Sequence, residues 1–296
     1  MISEWYTANK SGSYFHIQYG PPKWLVVLIW ALIYMHQIIW TIYTLSTLWR
    51  KAPLSDKRLY YEPYFMPVQI YGALLLNLIF QLAWAAKLST CTGVCPVLQL
   101  GSTLTIMAAF AISARALVGE GGSLYRLGAS NEVWLVRLLV HNGFACYATW
   151  ELIDLTISLS GIMVRGGYGQ KEAYVTMLGI LGLFLIPYVL LDLTLLDIYL
   201  RYTIAPYVTV FLYFVAIVAK HPDSGMVYIM AALLLAISLL GVCFKVLVLI
   251  ARKRNSSEPI PLLESLPRQE RKSSIATRLS TRMPVNVFDN LTIPNM

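Results

Sequence analysis

Four ionisable residues share one apolar stretch in the middle of this 296-residue chain: Arg137, His141, Glu151 and Asp154. In a helix turning about 100° per residue, the first three fall within about 80° of one another, and Asp154 lies about 60° further round. Phe144 and Ala148 occupy the positions between them on that stripe. Charges within a membrane are expensive and face the bundle interior or water. Such a stripe has two readings: structural ion pairing with snorkelling at the interface, or a pathway for an ion or ligand. Depth along the helix selects partners. At about 1.5 Å per residue, Arg137 lies roughly 14 Å to the cytosolic side of mid-helix, and Asp192, in the next apolar segment, roughly 9 Å to the same side. These two are expected to pair. Glu151 falls in the opposite half, as does Gln81, and His36 and Asn77 fall near the midplane. A polar group left alone in hydrocarbon is costly, so these groups are expected to meet one another, water or a ligand.

Of eight tryptophans, four lie in or beside the first apolar segment: Trp24, Trp30, Trp40 and Trp49. Trp24 and Trp49 sit at its ends and read as interfacial anchors. Trp30 and Trp40 lie deeper, as packing residues or as walls of a pocket for a flat apolar ligand. Cys146 and Cys243 fall inside apolar segments and read as buried thiols. Cys91 and Cys95 share one short loop with no histidine or further cysteine beside them, which argues against zinc. In an oxidising compartment they would close a small disulfide loop.

No G-x-S-x-G, H-E-x-x-H or Walker loop is present, so the chain is read as non-enzymatic, with no cofactor or metal. Lys245 lies near the cytosolic end of the last apolar segment rather than at its middle, which argues against retinal attachment. The marks of rhodopsin-like receptors are also missing. The third segment ends Ser113-Ala114-Arg115-Ala116 instead of an acidic-Arg-Tyr triplet, and the seventh has no Asn-Pro-x-x-Tyr.

The elements that carry these residues follow from hydropathy. Hydrophobic residues make up 57% of the chain and charged residues 13%, about half the charged share of an ordinary soluble domain. The mean hydropathy is +0.62. Seven segments are long and apolar enough to span: 24–48, 68–86, 97–118, 133–160, 174–198, 203–219 and 226–250. The sixth is marginal in length and carries Pro206 near its start. The expected fold is an all-α, polytopic transmembrane bundle of about seven helices, because lipid leaves no partner for an open backbone. Small residues such as Ala108, Ala109, Gly179 and Gly182 would let helices approach closely.

The net charge of +8 sits in tails and short loops, not interleaved with aromatics on a soluble surface, so nucleic acid is not an expected partner. With the N-terminus outside, the cytosolic side holds Arg50, Lys51, Lys57, Arg58, Arg115, Arg126, Arg201, Arg252, Lys253 and Arg254. The outer side holds Lys10, Lys23, Lys87, Arg165, Lys171 and Lys220. That bias favours N-out and C-in. Residues 1–23 then form a short outer segment without an h-region, 24–250 the membrane domain, and 251–296 a basic, disordered cytosolic tail. Asn9 heads a glycosylation triplet on the outer side.

The entry to the first segment reads Pro21-Pro22-Lys23-Trp24, then Trp30 and Tyr34; the second holds Tyr71, Leu75, Asn77 and Trp84. Over residues 20–86 this resembles the tryptophan-rich sensory protein (translocator protein) family, with a different Asn–Trp spacing; Trp150 could correspond to a further family tryptophan. That family has five helices and binds tetrapyrroles, sterols and related ligands in an aromatic pocket. A ligand bound between the helices is expected to be lined by Trp30, His36 and Asn77, with Trp84 and Trp150 contributing. The Pro-Pro-x-Trp start also reads simply as a helix entry with an interfacial anchor.

Three functions stay open: a binding protein for a lipid, sterol or tetrapyrrole-like molecule, a seven-helix receptor, or a secondary transporter using Arg137, His141, Glu151 and Asp192. In the tail, Glu258 with Leu262 and Leu263 fits an acidic dileucine signal for a coat adaptor, and Ser273, Ser274 and Ser280 sit in basic contexts typical of kinase sites. Membrane lipids are the remaining expected partner, and the plasma membrane or an endolysosomal membrane the expected location.

Overall fold

The computed structural model describes residues 19–87 and 93–255. Its elements are α1 (Lys23–Ser46), α2 (Val68–Lys87), α3 (Val94–Arg126), α4 (Ser130–Leu135), a π-helical segment (Val136–His141), α5 (Asn142–Arg165), α6 (Gln170–Leu193), α7 (Asp197–Leu200), α8 (Ala205–Lys220) and α9 (Met226–Asn255). Among the described residues there is no strand, only an isolated antiparallel bridge between Lys51 and Arg58.

Five of these helices are long and apolar enough to cross a membrane: α1, α2, α3, α6 and α9. The chain therefore carries the helices of a multi-pass membrane protein. The other two segments expected to span differ from that expectation. At 16 residues, α8 is about 24 Å long, short of the roughly 30 Å hydrocarbon core. The segment expected at 133–160 is a longer composite of α4, the π turn and α5, with Glu151 and Asp154 among its apolar residues.

Side-chain contacts fix the direction of each rod. His141 meets Ser113 and Glu151 meets Gln99, so α5 runs antiparallel to α3. Asn142 meets Ala205 and Cys146 meets Thr209, so α8 runs parallel to α5. Tyr174 meets Tyr213 and Asp192 meets Tyr207, so α6 runs antiparallel to α8. Among the described residues, α3, α5, α6 and α8 thus alternate in direction, as short connections require.

The central rod is α5, which packs against α1, α3, α6 and α8 and buries residues on every side, including Trp150, Glu151, Ile153 and Asp154. This explains its polarity. A helix surrounded by protein can hold charges that a lipid-facing helix cannot. The outer helices show the reverse, with large apolar side chains such as Leu82, Leu183 and Leu247 exposed.

The π segment has a specific partner. A π turn widens the helix and disrupts the regular ladder. Asn142, just beyond it, donates from Nδ2 to the Arg137 carbonyl at 2.8 Å. The same side chain accepts from Ile204 N at 2.9 Å and Ala205 N at 3.1 Å. It thus caps the start of α8 from a neighbouring helix, where Ile204 has no capping side chain of its own. Before the π turn, on α4, Arg50 grips Glu132 through two bonds of 2.5 and 3.1 Å, and Tyr43 donates to the same carboxylate at 2.8 Å. That tie anchors the end of α1 to α4.

Candidate functional site

Glu151 is fully buried where α2, α3 and α5 meet. Gln81 donates to its Oε1 at 2.5 Å and Gln99 to its Oε2 at 2.6 Å. The Ser102 hydroxyl is a further neighbour. Ser102 in turn accepts from Asn77 at 2.9 Å and Gln81 at 2.8 Å, and Asn77 accepts from the Tyr147 hydroxyl at 2.8 Å. Asp154, also buried, lies one turn along and acts electrostatically on Glu151. The carboxylate is held by neutral donors from two other helices, which is how an acid is kept in a low-dielectric interior. The Gln99 Oε1 atom is buried without a hydrogen-bond partner among the described residues.

A second buried network joins α6, α8 and α9. Lys245 Nζ lies 2.7 Å from both oxygens of Asp192 and 3.0 Å from the Leu200 carbonyl oxygen. The Tyr207 hydroxyl donates to Asp192 at 2.6 Å. Lys245 is 2% exposed and Asp192 0%. Gly241 lets this pack, since a Cβ there would come within 2.8 Å of the Tyr207 ring.

The expected pairing of Arg137 with Asp192 is therefore corrected: the cation on Asp192 is Lys245. Arg137 instead lies against two rings, 5.0 Å from the Trp134 centroid and 4.4 Å from that of Tyr202. The π turn is the physical reason the stripe breaks up. It accommodates an extra residue, which rotates everything beyond it relative to a regular α-helix. His141 faces α3, edge-on to Phe110 at 5.8 Å, with its Nε2 unpartnered among the described residues. Gln81 and Glu151, placed in the same half by depth, do meet.

A cavity of about 630 Å³ lies between α3, α5, α6 and α8, with residues of α7 at one end. Phe110, Ala148, Leu185 and Phe214 typify its lining, and Arg115 is the one ionisable side chain there besides tyrosines. Where α3 and α6 flank it they form no packed interface. The rims Met107, Leu183, Phe184 and Leu191 are exposed, so the cavity opens sideways onto the apolar outer surface. The Tyr188 hydroxyl is buried without a partner among the described residues, and Tyr188 lines the cavity.

The expected ligand residues do not line this cavity. Trp30 is buried against Tyr34 and Tyr147, with centroids 5.6 and 6.1 Å apart. His36 bonds back to the Leu32 carbonyl at 3.1 Å and lies close to Gly143. Asn77 belongs to the Glu151 network, Trp84 is half-buried on α2, and Trp150 packs edge-on to Tyr213 at 6.4 Å. Trp30, His36 and Asn77 lie on the α1–α2 side of the central rod, whereas Trp150 faces α8, and none of the five lines the cavity. Cys95 is buried at the start of α3. Asn9, Cys91, Glu258, Leu262, Leu263, Ser273, Ser274 and Ser280 lie outside the described residues.

Sequence reasoning missed Lys245, Gln99, Ser102, Tyr147, Asn142 and Tyr207. The strongest signal was Lys245 itself, a lysine inside an otherwise apolar run, which demands a counter-ion. No family model, curated protein or solved structure matches this chain.

Proposed function

We propose that this multi-pass membrane protein binds an apolar or amphipathic small molecule in the cavity between α3, α5, α6 and α8. The observation that carries the reading is that cavity: about 630 Å³, within the range that holds drug-sized or lipid-sized ligands, apolar inside and open toward the acyl-chain region. The reading moves the expected site away from Trp30, His36, Asn77, Trp84 and Trp150, none of which lines the cavity. The test is native mass spectrometry of the detergent-purified protein, comparing wild type with Ala148→Phe, which fills the cavity from α5. Loss of co-purifying small molecules on filling supports the reading; equal retention by both proteins removes it.

Secondary transport is a second reading, favoured by Glu151. A fully buried carboxylate held by amides is suited to exchange a proton with a passing substrate. Proteoliposomes under a pH gradient should then take up protons in wild type but not in Glu151→Gln, and equal flux in the two would end this reading.

The proposal also includes seven crossings with the N-terminus outside, on the charge bias of the loops. It places the protein in the plasma membrane and endolysosomes, with the dileucine pattern as its address. Replacing Leu262 and Leu263 with alanine should raise the surface fraction of a tagged protein, and an unchanged fraction would discount the motif.

A further inference from the structure

The cavity has a polar end and an apolar end, and the direction of each helix sorts its lining accordingly. Because α3 runs antiparallel to α5, and α6 antiparallel to α8, which follows α5, the later residues of α3 and α6 share one end. Arg115 and Tyr188 belong to that end, and Tyr199, just past α6, joins them. Tyr207, at the start of α8, is there too. At the opposite end stand Met107, Leu181 and Phe214.

Two donors at the polar end lack acceptors among the described residues. Arg115 is exposed and has no ion-pair or hydrogen-bond partner among the described residues, and the Tyr188 hydroxyl is buried without one. Nearby Asp192 does not serve, because Lys245 and Tyr207 already occupy it. A guanidinium at the mouth of a cavity that opens to lipid attracts an anion, and a carboxylate suits its fork geometry. The rest of the cavity is apolar apart from Thr149, whose hydroxyl is already committed to the Ala145 carbonyl, and that suits a single hydrocarbon chain.

We propose that the ligand is a long-chain fatty acid, its carboxylate at Arg115 and its chain running toward Phe214. This rests on the cavity being a ligand site, and it adds the charge of the head group and the residue that reads it. A bare snorkelling arginine is the competing account of Arg115, and it makes no distinction between charged and neutral ligands.

The experiment measures binding of radiolabelled oleate and of oleyl alcohol to the full chain in nanodiscs of neutral lipid. Three variants accompany wild type: Arg115→Gln, Arg115→Lys and Ala111→Trp, the last placing a ring into the cavity from an exposed position. Oleate is expected to bind about tenfold or more tighter than oleyl alcohol, the scale of one charge-assisted hydrogen bond. Arg115→Gln should abolish that preference, Arg115→Lys should keep part of it, and Ala111→Trp should weaken both ligands. Equal affinity for acid and alcohol, unchanged in Arg115→Gln but still lost in Ala111→Trp, would overturn the fatty-acid inference and leave the cavity as a ligand site. Binding of neither ligand, or binding indifferent to Ala111→Trp, would overturn both.

Discussion

With Lys245 Nζ 2.7 Å from both oxygens of Asp192 and both side chains out of solvent, removing one partner strands the other. Lys245→Met is expected to cost about 3–5 kcal/mol, because it leaves a buried carboxylate facing only a tyrosine hydroxyl. Adding Asp192→Asn should recover a good part of that loss. A double-mutant cycle on unfolding in mixed detergent measures the coupling, and a value near zero would contradict the pairing. Glu151 behaves differently. Gln99 carries an unpartnered Oε1 beside it, and rotating that amide offers an acceptor to a new N–H. Glu151→Gln should therefore change thermal stability little, while Glu151→Leu orphans the Gln81 and Gln99 donors at about 1–3 kcal/mol each. Equal losses for the two substitutions would show that charge, not hydrogen bonding, matters at this position.

At the scale of elements, Asn142 joins two helices with one side chain. Asn142→Ala removes the acceptor for Ile204 N and Ala205 N, and the expected loss is about 1–2 kcal/mol, the usual worth of a helix cap. Hydrogen exchange should accelerate over residues 204–209 first. Uniform protection across α8 would argue against the cap. The apolar helices were legible in sequence because a membrane helix needs only length and hydropathy, both local properties. The central rod was not fully legible. Its π turn depends on what Asn142 can reach in α8, a contact 62 residues away, and periodicity assumes a constant 100° step that the turn breaks. For the same reason Arg137 and Asp192, matched by depth alone, lie with other partners. Depth carries no information about azimuth. It succeeded for Gln81 and Glu151, which face each other across adjoining helices.

For the whole molecule, glycosylation reads the orientation. With the N-terminus outside, Asn9 is expected to be the one acceptor glycosylated in microsomes, since Asn255 and Asn290 also head Asn-x-Ser/Thr triplets but lie on the other side. A glycan on either of those two would invert the topology. The segment before α1 is held to the end of α8 by a latch. Lys220 donates to the Gly20 carbonyl at 2.8 Å, and His221 Nε2 lies 3.3 Å from the same oxygen, with the Tyr19 ring 5.6 Å from the imidazole. Burial and the Lys220 charge hold His221 below its ordinary value of 6.5, against the opposing pull of the Gly20 bond. Above about pH 6.5 the ring is neutral in both the latched and the open chain, and the latch is whole. As pH falls below that value the open chain takes up the proton first, so stability declines. Thermal melting between pH 7.5 and pH 5 should drop in wild type more than in His221→Gln. Parallel curves would show that the latch does not titrate. The candidate site was the least legible feature at this scale, because a cavity arises from four helices that fail to close, and nothing local marks a gap.

The Asp192–Lys245 bond has a consequence for how the protein is made. Asp192 leaves the ribosome 53 residues before Lys245, so during synthesis α6 ends in a carboxylate that has no cation. A charge at the centre of a membrane helix costs about 2.5–3.5 kcal/mol on the scale of helix insertion, and Asp192, next to the end of α6, bears part of that cost. The expected outcome is that α6 stays beside the insertion machinery or water until α9 emerges, and that α6, α8 and α9 then enter lipid together. A nascent chain arrested before residue 245 should still crosslink to the insertion machinery through α6, and one released beyond residue 255 should not.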